Sequence, residues 1–355
     1  MNIKEKFGQM IMLGLDIEKL SDEVIKLIRD YKIGGVVLYK KNYNSIDEMQ
    51  KLINRLKDIN KNNIPLFIAI DQENGRVNRM PNEIERIYSV GKQASTKNDD
   101  IIHKCNKITS NILRDVGVNM NLAPVVDINY DDSKIIGNRS YGSSTSEVIK
   151  YGALTMNDYQ EEGIIPVVKH FPGHGLVSTD SHYLIPVISD AKKMEDDLVV
   201  YDSLIKSGCD ALMVGHLKVL GYGSEPATIN KNIIKKYLID RYNYQGLVIT
   251  DDLRMNTMKY IYGIKNMVNK SILAGSNILM IKYKKRDTKR LYDGLYKMID
   301  KEKISHELIE NSYNKIINVK NKYKVSNNKS SVVIDIDKIN EEIRSVNKEI
   351  DGFSN

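Results

Sequence analysis

The chain has 355 residues, of which 41% are hydrophobic and 28% are charged, a balance typical of a soluble globular protein with a well-buried core. No apolar run approaches the roughly 18 residues that a membrane-spanning helix needs, so we predict no membrane partner. The net charge of +7 comes from scattered lysines and not from one concentrated basic face, so we predict no nucleic-acid partner.

The beginning of the chain and its cysteines bear on its compartment. Lys4, Glu5 and Lys6 precede an apolar patch that is too short for the core of a secretory signal. Cys105 and Cys209 form neither a disulfide framework nor a metal-type spacing. We therefore expect a cytoplasmic protein, and we also expect a monomer.

Short apolar segments typical of β-strands recur along the chain. They cover residues 9–15, 34–39, 65–70, 117–124, 163–170, 208–216, 246–252 and 275–282. Six are entered through a glycine, the residue that helices use to turn with positive φ into the next strand. Several are continuously apolar, as parallel strands buried on both faces are.

Amphipathic segments of helical length lie between these strands. They cover residues 17–31, 45–56, 99–115, 146–162, 190–206, 230–242, 261–274 and 287–300. Eight strands alternating with eight helices predict an α/β fold, a single-domain (β/α)8 barrel of the TIM type over residues 1–325. An open doubly wound sheet is the alternative, weakened because no dinucleotide fingerprint follows the early strands.

The end of the chain lies beyond the predicted barrel. Residues 305–324 predict a final helix. Residues 326–355 predict a C-terminal tail with a short β-like piece and a charged helix, packed on the barrel or partly disordered.

Polar residues follow many of the predicted strands at the same end. In barrels of this type, active sites form at the carboxyl ends of the strands. The polar residues there are Asp71, Gln72, Glu73, Asp127, Lys169, His170, His216, Asp251 and Asp252. Their shared position indicates a functional site, because a structural protein has no reason to collect charges at one end.

The segment KHFPGHGLVSTDSH, at residues 169–182, is rich in histidine. His170 and His174 are four residues apart, as two metal ligands on one helix would be. Pro172 and Gly173 break that helix, so we predict no metal site and no cofactor.

Asp180 and His182 form a second pair in the same segment. In an extended loop, side chains two residues apart point the same way. A carboxylate bonded to one imidazole nitrogen leaves the other nitrogen free for proton transfer. This pair therefore predicts a catalytic acid and base.

These segments together resemble the β-N-acetylhexosaminidases of glycoside hydrolase family 3. The matching stretches, in the family's order, are IDQENGRVNR (70–79), NLAPVVDIN (121–129), IGNRSYG (136–142), KHFPGHG (169–175) followed by DSH (180–182), and VITDDLRM (248–255). They cover most of residues 5–325, and the KHFPGHG run followed by DSH is very specific.

The resemblance implies a retaining hydrolase with Asp251 as the nucleophile that forms a covalent glycosyl-enzyme. Asp252 is the rival nucleophile. Adjacent side chains of an extended backbone point to opposite sides, so only one of the two carboxylates can face the sugar. In this branch of the family a histidine takes the role of acid and base, which implies His182, supported by Asp180.

The resemblance also implies a set of sugar-binding residues. Those that would hold the ring of N-acetylglucosamine are Asp71, Arg79, Arg139, Lys169 and His170, and His216 and Met255 would line the site. A buried structural ion pair is the alternative for each binding residue, most of all for Arg79. Asn74 departs from the family pattern, which usually has glycine there, although asparagine tolerates positive φ better than most residues.

The sequence therefore predicts an exo-acting β-N-acetylglucosaminidase that cleaves a small carbohydrate partner, a disaccharide or muropeptide from peptidoglycan recycling. The absence of tryptophan favours a short substrate, since long glycan clefts commonly stack sugars on aromatic faces. One alternative is a glycoside phosphorylase, because a neutral histidine would not repel phosphate. The other is a non-catalytic glycan-binding barrel, disfavoured because Asp251, Asp180 and His182 are all present.

Overall fold

The computed structural model describes residues 1–130, 133, 135–177, 185–255, 258 and 261–353. Its strands are β1 (Ile11–Gly14), β2 (Gly35–Leu38), β3 (Phe67–Ile70), β4 (Met120–Asn121), β5 (Ile165–Pro166), β6 (Val168–Phe171), β7 (Val187–Ile188), β8 (Ala211–Val214), β9 (Lys218–Val219), β10 (Leu247–Thr250) and β11 (Leu279–Lys282). Each of the eight apolar segments contains observed strand. The short β7 and β9 pair with each other and were not predicted.

The helices are α1 (Ile3–Gln9), α2 (Asp22–Arg29), α3 (Ile46–Ile59), α4 (Val90–Ser95), α5 (Asp99–Val116), α6 (Thr145–Glu161), α7 (Ala191–Lys206), α8 (Lys231–Ile233), α9 (Ile264–Ala274), α10 (Asp287–Asp300), α11 (His306–Lys322) and α12 (Ile336–Gly352). A π-helical stretch, Ile234–Arg241, continues α8. The helix predicted for the tail is α12. The β-like piece is wrong, because residues 331–335 are irregular and Val333 is 93% exposed.

The named strands pair in parallel. One sheet has the order β11-β1-β2-β3-β4-β5 and a second has the order β10-β8-β6. On one side, Lys169 of β6 donates its N–H to the Pro124 carbonyl at 3.1 Å and accepts the Val126 N–H at 2.9 Å, which joins β6 to the chain that follows β4. On the other side, the Thr250 N–H donates to the Ile278 carbonyl at 2.9 Å. The predicted parallel α/β organisation is confirmed, and backbone hydrogen bonds connect the two sheets on both sides.

The burial of the strands explains their apolar sequences. Every residue of β1, β2, β3, β8 and β10 is buried, so both faces of these strands are covered. Within the described part of the chain, no helix combines the length and the apolar character that crossing a membrane requires.

The glycines before the strands have two different functions. Gly117, Gly163, Gly208 and Gly275 have positive φ, between 76° and 116°, as predicted. At Gly34 the requirement is space, because a β-carbon would lie 1.9 Å from the Gln9 carbonyl oxygen. The expectation of positive φ at all six glycines is therefore wrong at Gly34 and also at Gly246, where a β-carbon would lie 2.6 Å from the Asp210 carbonyl oxygen.

Lys320 of α11 is a buried cation at the amino-terminal ends of the strands. Its Nζ donates to Gln9 Oε1 at 2.9 Å and to the Gly34 carbonyl at 3.0 Å, and lies 4.6 Å from the centre of the Phe67 ring. Burial lowers the pKa of Lys320 to about 7. The folded protein therefore holds a largely neutral lysine above neutral pH.

We predict that Lys320→Met is more stable than the wild type at pH 6.5 and that this gain shrinks as the pH rises. Between the folded pKa of about 7 and the ordinary 10.5, the unfolded chain binds one more proton than the folded chain. Wild-type stability therefore rises with pH across this window, by up to about 5 kcal/mol. Urea unfolding at pH 6.5, 8 and 9.5 measures the difference, with the exposed Lys297→Met as the control. A difference that is the same at every pH would contradict the prediction.

Candidate active site

The carboxyl ends of the strands surround a cavity of about 530 Å³. The described residues that line it are Tyr39, Asp71, Glu73, Arg76, Val77, Arg79, Ile135, Arg139, Lys169, His170, His174, Met213, Asp251, Asp252, Arg254, Met255, Met280 and Lys282. Seven of the ten predicted site residues are in this set. The structure thus brings together residues from four distant stretches of sequence.

The other three predicted residues are placed differently. Asp180 and His182 lie outside the described residues. His216 was predicted to line the cavity, but it is 1% exposed and lies behind the cavity wall. Its Nε2–H donates to the Asp252 carbonyl at 3.0 Å, and its Nδ1 lies 2.7 Å from Thr228 Oγ1. His216 therefore supports the backbone beside Asp251.

Glu73 is the centre of a buried ion network. Its carboxylate accepts from Arg139 Nε at 2.7 Å and Nη2 at 2.9 Å, and lies 2.6 Å from Lys169 Nζ. Both the Glu73 and Lys169 side chains are 3% exposed. Burial opposes ionisation, but Lys169 and Arg139 hold the pKa of Glu73 well below its usual range. The network fixes two of the predicted sugar-binding cations.

Asp71 connects this network to the cavity. Lys169 Nζ donates to Asp71 Oδ1 at 2.7 Å, and Arg79 Nη2 lies 3.9 Å from Asp71 Oδ2. The Asp71 and Arg79 side chains are 23% and 27% exposed, and no hydrogen-bond partner of Arg79 Nε is found in the described chain. Arg79 is therefore a loosely paired cation on the cavity wall, with donor capacity left for a ligand.

Gln72 organises the segment that carries Asp71, which we call the Asp71 hairpin (residues 71–79). Its side-chain Nε2 donates to Asn74 Oδ1 at 3.0 Å and to Asn78 Oδ1 at 2.9 Å. Its Oε1 accepts from the Arg79 N–H at 2.8 Å. One buried amide thus ties the two arms of the hairpin together.

Asn74, which departs from the pattern of the resemblance, lies at the turn of this hairpin. Its φ is +67°, in the left-handed region that asparagine tolerates. Its Nδ2 lies 3.2 Å from Thr109 Oγ1 of α5. Asn74 therefore adopts the backbone conformation of this turn, and its side chain anchors the turn to α5.

His170 is oriented by Asp127, which is fully buried. His170 Nδ1–H donates to Asp127 Oδ2 at 2.7 Å, while Oδ1 accepts the backbone N–H of His170 (3.1 Å) and of His174 (2.7 Å). Burial opposes ionisation of Asp127, but the His170 ring and the His174 N–H lower its pKa. This arrangement leaves His170 Nε2 available to a ligand.

Asp251 and Asp252 have opposite surroundings despite being neighbours. Asp252 Oδ1 accepts the backbone N–H of Arg254 and of Lys282, each at 3.0 Å, so its carboxyl joins β10 to β11. Burial raises the pKa of Asp252, and the Asp251 charge adds to this.

The pKa of Asp251 is shifted in the opposite direction, below its ordinary value. Burial opposes its ionisation, but the rings of His216 and His170 and the Asp252 N–H lower its pKa, with help from Lys169. Asp251 Oδ1 accepts the Asp252 N–H at 2.7 Å. The site thus holds a carboxylate that is ionised near neutral pH, as a nucleophile must be.

Two functional side chains had no assigned role in the sequence analysis. Glu73 and Asp127 were noted only as polar residues at strand ends. The only sequence signal for these two residues was their position after a predicted strand. That position indicates the site, but it does not distinguish a side chain that binds a ligand from one that supports a neighbouring side chain. The structure shows that each holds residues predicted to bind the sugar.

The chain is similar to several known proteins. The family model described as the glycosyl hydrolase family 3 N terminal domain matches residues 2–319. A Beta-hexosaminidase of Tolumonas auensis is 29% identical over 292 residues, which cover 80% of this chain and 86% of the relative. A Beta-hexosaminidase of Psychromonas ingrahamii is 27% identical over 330 residues, which cover 90% and 95%.

A solved structure is also similar over most of the chain. The glycoside hydrolase family 3 beta-N-acetylglucosaminidase from Paenibacillus sp. str. FPU-7 has a TM-score of 0.91 and 28% identity. The match covers 98% of this chain and 69% of that one.

We predict that Glu73→Gln costs about 3 kcal/mol of stability at pH 7, because it leaves buried cations without their carboxylate. The depressed pKa means that the contribution of Glu73 is complete above its ordinary value of 4.5 and is lost as the pH falls below it. Denaturant unfolding from pH 7 to 3.5 should therefore show the two proteins converging in acid. Glu195→Gln, which removes an exposed pair with Arg241, should cost less than about 1 kcal/mol. Equal stability of Glu73→Gln and wild type at pH 7 would overturn this account.

Proposed function

The chain belongs to glycosyl hydrolase family 3 and is a glycoside hydrolase, and from that membership we propose that it is a retaining exo-β-N-acetylglucosaminidase. The observation that carries the proposal is the ionised Asp251 carboxylate on the wall of a cavity that also presents Asp71, Lys169 and His170. The similarity to two bacterial Beta-hexosaminidases and to the Paenibacillus beta-N-acetylglucosaminidase supports the choice of substrate.

The cavity suits the ring of one N-acetylglucosamine. The Asp71 carboxylate accepts from vicinal hydroxyls, and Arg79 donates beside it. His170 contributes Nε2, since Asp127 takes its other nitrogen. Lys169 and Arg139 line the same cavity as further sugar-binding cations, and their ion pairs with Glu73 keep them in place.

In the first step, an oxygen of Asp251 attacks the anomeric carbon while the glycosidic bond breaks. The leaving oxygen takes a proton from His182. In the second step, His182 removes a proton from water, the water oxygen attacks the anomeric carbon, and the bond to Asp251 breaks. Asp180 fixes the tautomer of His182, and an imidazole suits both steps because its ordinary pKa is about 6.5.

The natural substrate is a short, peptidoglycan-derived one. The 530 Å³ cavity is within the range of small-ligand sites, about 300–1,000 Å³, and Tyr39 offers one aromatic face. Cys105 and Cys209 are buried free thiols, which suits a reducing cytoplasm.

The proposal places this site in a closed (β/α)8 barrel. The supporting observations are the backbone hydrogen bonds of Lys169 with Pro124 and Val126, and that of Thr250 with Ile278, which connect the six-stranded and three-stranded sheets on both sides. Active sites of such barrels lie at the carboxyl ends of the strands, where the cavity is.

Loss of the nucleophile tests the mechanism. We expect Asp251→Ala to release p-nitrophenol from the β-N-acetylglucosaminide at least about 1,000-fold more slowly, which corresponds to about 4 kcal/mol of transition-state stabilisation. Asp196→Ala, an exposed aspartate, is the matched control and should retain full activity. Near-normal turnover of Asp251→Ala would show that Asp251 is not the nucleophile.

Two substrates with different leaving groups test whether His182 is the general acid and base. We expect His182→Ala to slow hydrolysis of an alkyl N-acetylglucosaminide by about 100- to 10,000-fold. The glycosylation step with p-nitrophenyl β-N-acetylglucosaminide should be slowed less, because its leaving group needs little protonation. Equal losses for both leaving groups would count against His182.

The product distinguishes the possible outcomes. Proton magnetic resonance at early times should show the β-anomer released first, as retention requires. The rate should be unchanged when phosphate is added. Accumulation of N-acetylglucosamine 1-phosphate would instead identify a phosphorylase, and an α-anomer would exclude retention.

A further inference from the structure

Helix α12 lies beyond the residues that the family model matches, which end at 319. It is nevertheless part of the main core. Its buried side chains, Ile343, Val346 and Ile350, belong to the same hydrophobic cluster as Met80, Ile84, Ile87, Ile108 and Ile112. The helix therefore packs on the barrel beside the chain that follows the Asp71 hairpin.

Two asparagines of α12 bind the backbone of residues 83–88, which we call the braced segment. Asn340 Oδ1 accepts the Glu85 N–H and its Nδ2 donates to the Glu83 carbonyl, both at 2.8 Å. Asn347 does the same about two helical turns later, with the Tyr88 N–H at 3.1 Å and the Arg86 carbonyl at 2.9 Å. The braced segment is neither helix nor strand, so its backbone N–H and C=O groups have no partners from regular secondary structure. The side-chain amides of Asn340 and Asn347 provide hydrogen-bond partners for four of these groups.

Charged and hydroxyl groups close the ends of this interface. Asp351 accepts from the Tyr88 hydroxyl at 2.9 Å and from Lys92 Nζ at 2.5 Å. Arg344 pairs with Glu85 at 2.6 Å. These pairs are exposed and contribute little each, so the two asparagines and the buried aliphatic side chains define the contact.

The braced segment in turn holds the Asp71 hairpin. The Gly75 N–H, at the hairpin tip, donates to the Ile87 carbonyl at 2.9 Å. A β-carbon at Gly75 would lie 2.6 Å from the Ser89 side chain, so the tip packs directly on this stretch. A chain of contacts therefore runs from Asn347 through the braced segment to the hairpin that carries Asp71 and Arg79.

We propose that α12 positions the sugar-binding residues of the Asp71 hairpin, with Asn340 and Asn347 as positioning residues. The substrate readout of this inference rests on the proposed function. The helix contributes no described residue to the cavity lining, so its effect is on the geometry of Asp71 and Arg79 and not on the chemical step. A hairpin held in place binds the sugar without first having to be ordered.

The test is the double variant Asn340→Ala with Asn347→Ala, made in the full chain. We expect KM for p-nitrophenyl β-N-acetylglucosaminide to rise about 5- to 20-fold while kcat changes less than about twofold, the pattern of lost ground-state and transition-state binding alike. Asn321→Ala, the same change at an exposed site of α11, should leave both constants unchanged.

Hydrogen exchange provides a second readout that needs no activity. In the double variant, peptides that cover residues 71–79 should exchange at least about 10-fold faster than in wild type, since the Gly75 N–H loses its firm acceptor. Peptides that cover β1 should exchange as before.

The outcomes separate this inference from the proposed function. A lower melting temperature with unchanged KM and unchanged exchange at 71–79 would show that α12 is merely structural and would overturn the inference. A wild type with no N-acetylglucosaminidase activity would defeat the proposed function, while exchange at 71–79 would still decide the role of α12. Asn347→Asp, which keeps the acceptor for the Tyr88 N–H, should show a smaller exchange effect than Asn347→Ala.

Discussion

The site depends on the bidentate ion pair between Arg139 and Glu73, together with the ion pair between Glu73 and Lys169. These ion pairs join three stretches that are distant in sequence: the end of β3, the turn before α6 and β6. Buried charges are tolerated only where they satisfy one another. Because Glu73 balances only one of the two positive charges, Lys169 can hold a second carboxylate, Asp71, which still faces the cavity. The polarity of this cavity wall thus depends on one buried acid.

The adjacent aspartates show how the backbone assigns different functions to identical side chains. Asp252 has a structural role, because its carboxylate accepts hydrogen bonds from backbone N–H groups at the ends of two strands. Asp251 is left to the cavity and is kept ionised by its neighbours. His216 lies behind both aspartates and contributes through its hydrogen bond to the Asp252 carbonyl instead of through contact with a ligand.

Much of this could be predicted from the sequence because it is encoded locally. Strands buried on both faces are continuously apolar, and the polar residues that follow them mark the carboxyl ends. What the sequence pattern could not predict depends on contacts between distant residues. Nothing in the local pattern around Asn340 or Asn347 indicates a backbone partner more than 250 positions earlier. The position of His216 behind Asp252 also depends on how two separate strands meet.

The pairing of β1 with β11 has a consequence for how the chain folds. Ile11 is paired with Leu279, so the first strand finds one of its neighbours only when nearly the whole domain is available. Every other strand pair is also parallel and requires a crossover, and such non-local pairing is slow to form. Until β11 pairs with β1, the apolar edge of β1 can pair with strands of other chains. Aggregation therefore competes with folding during that interval.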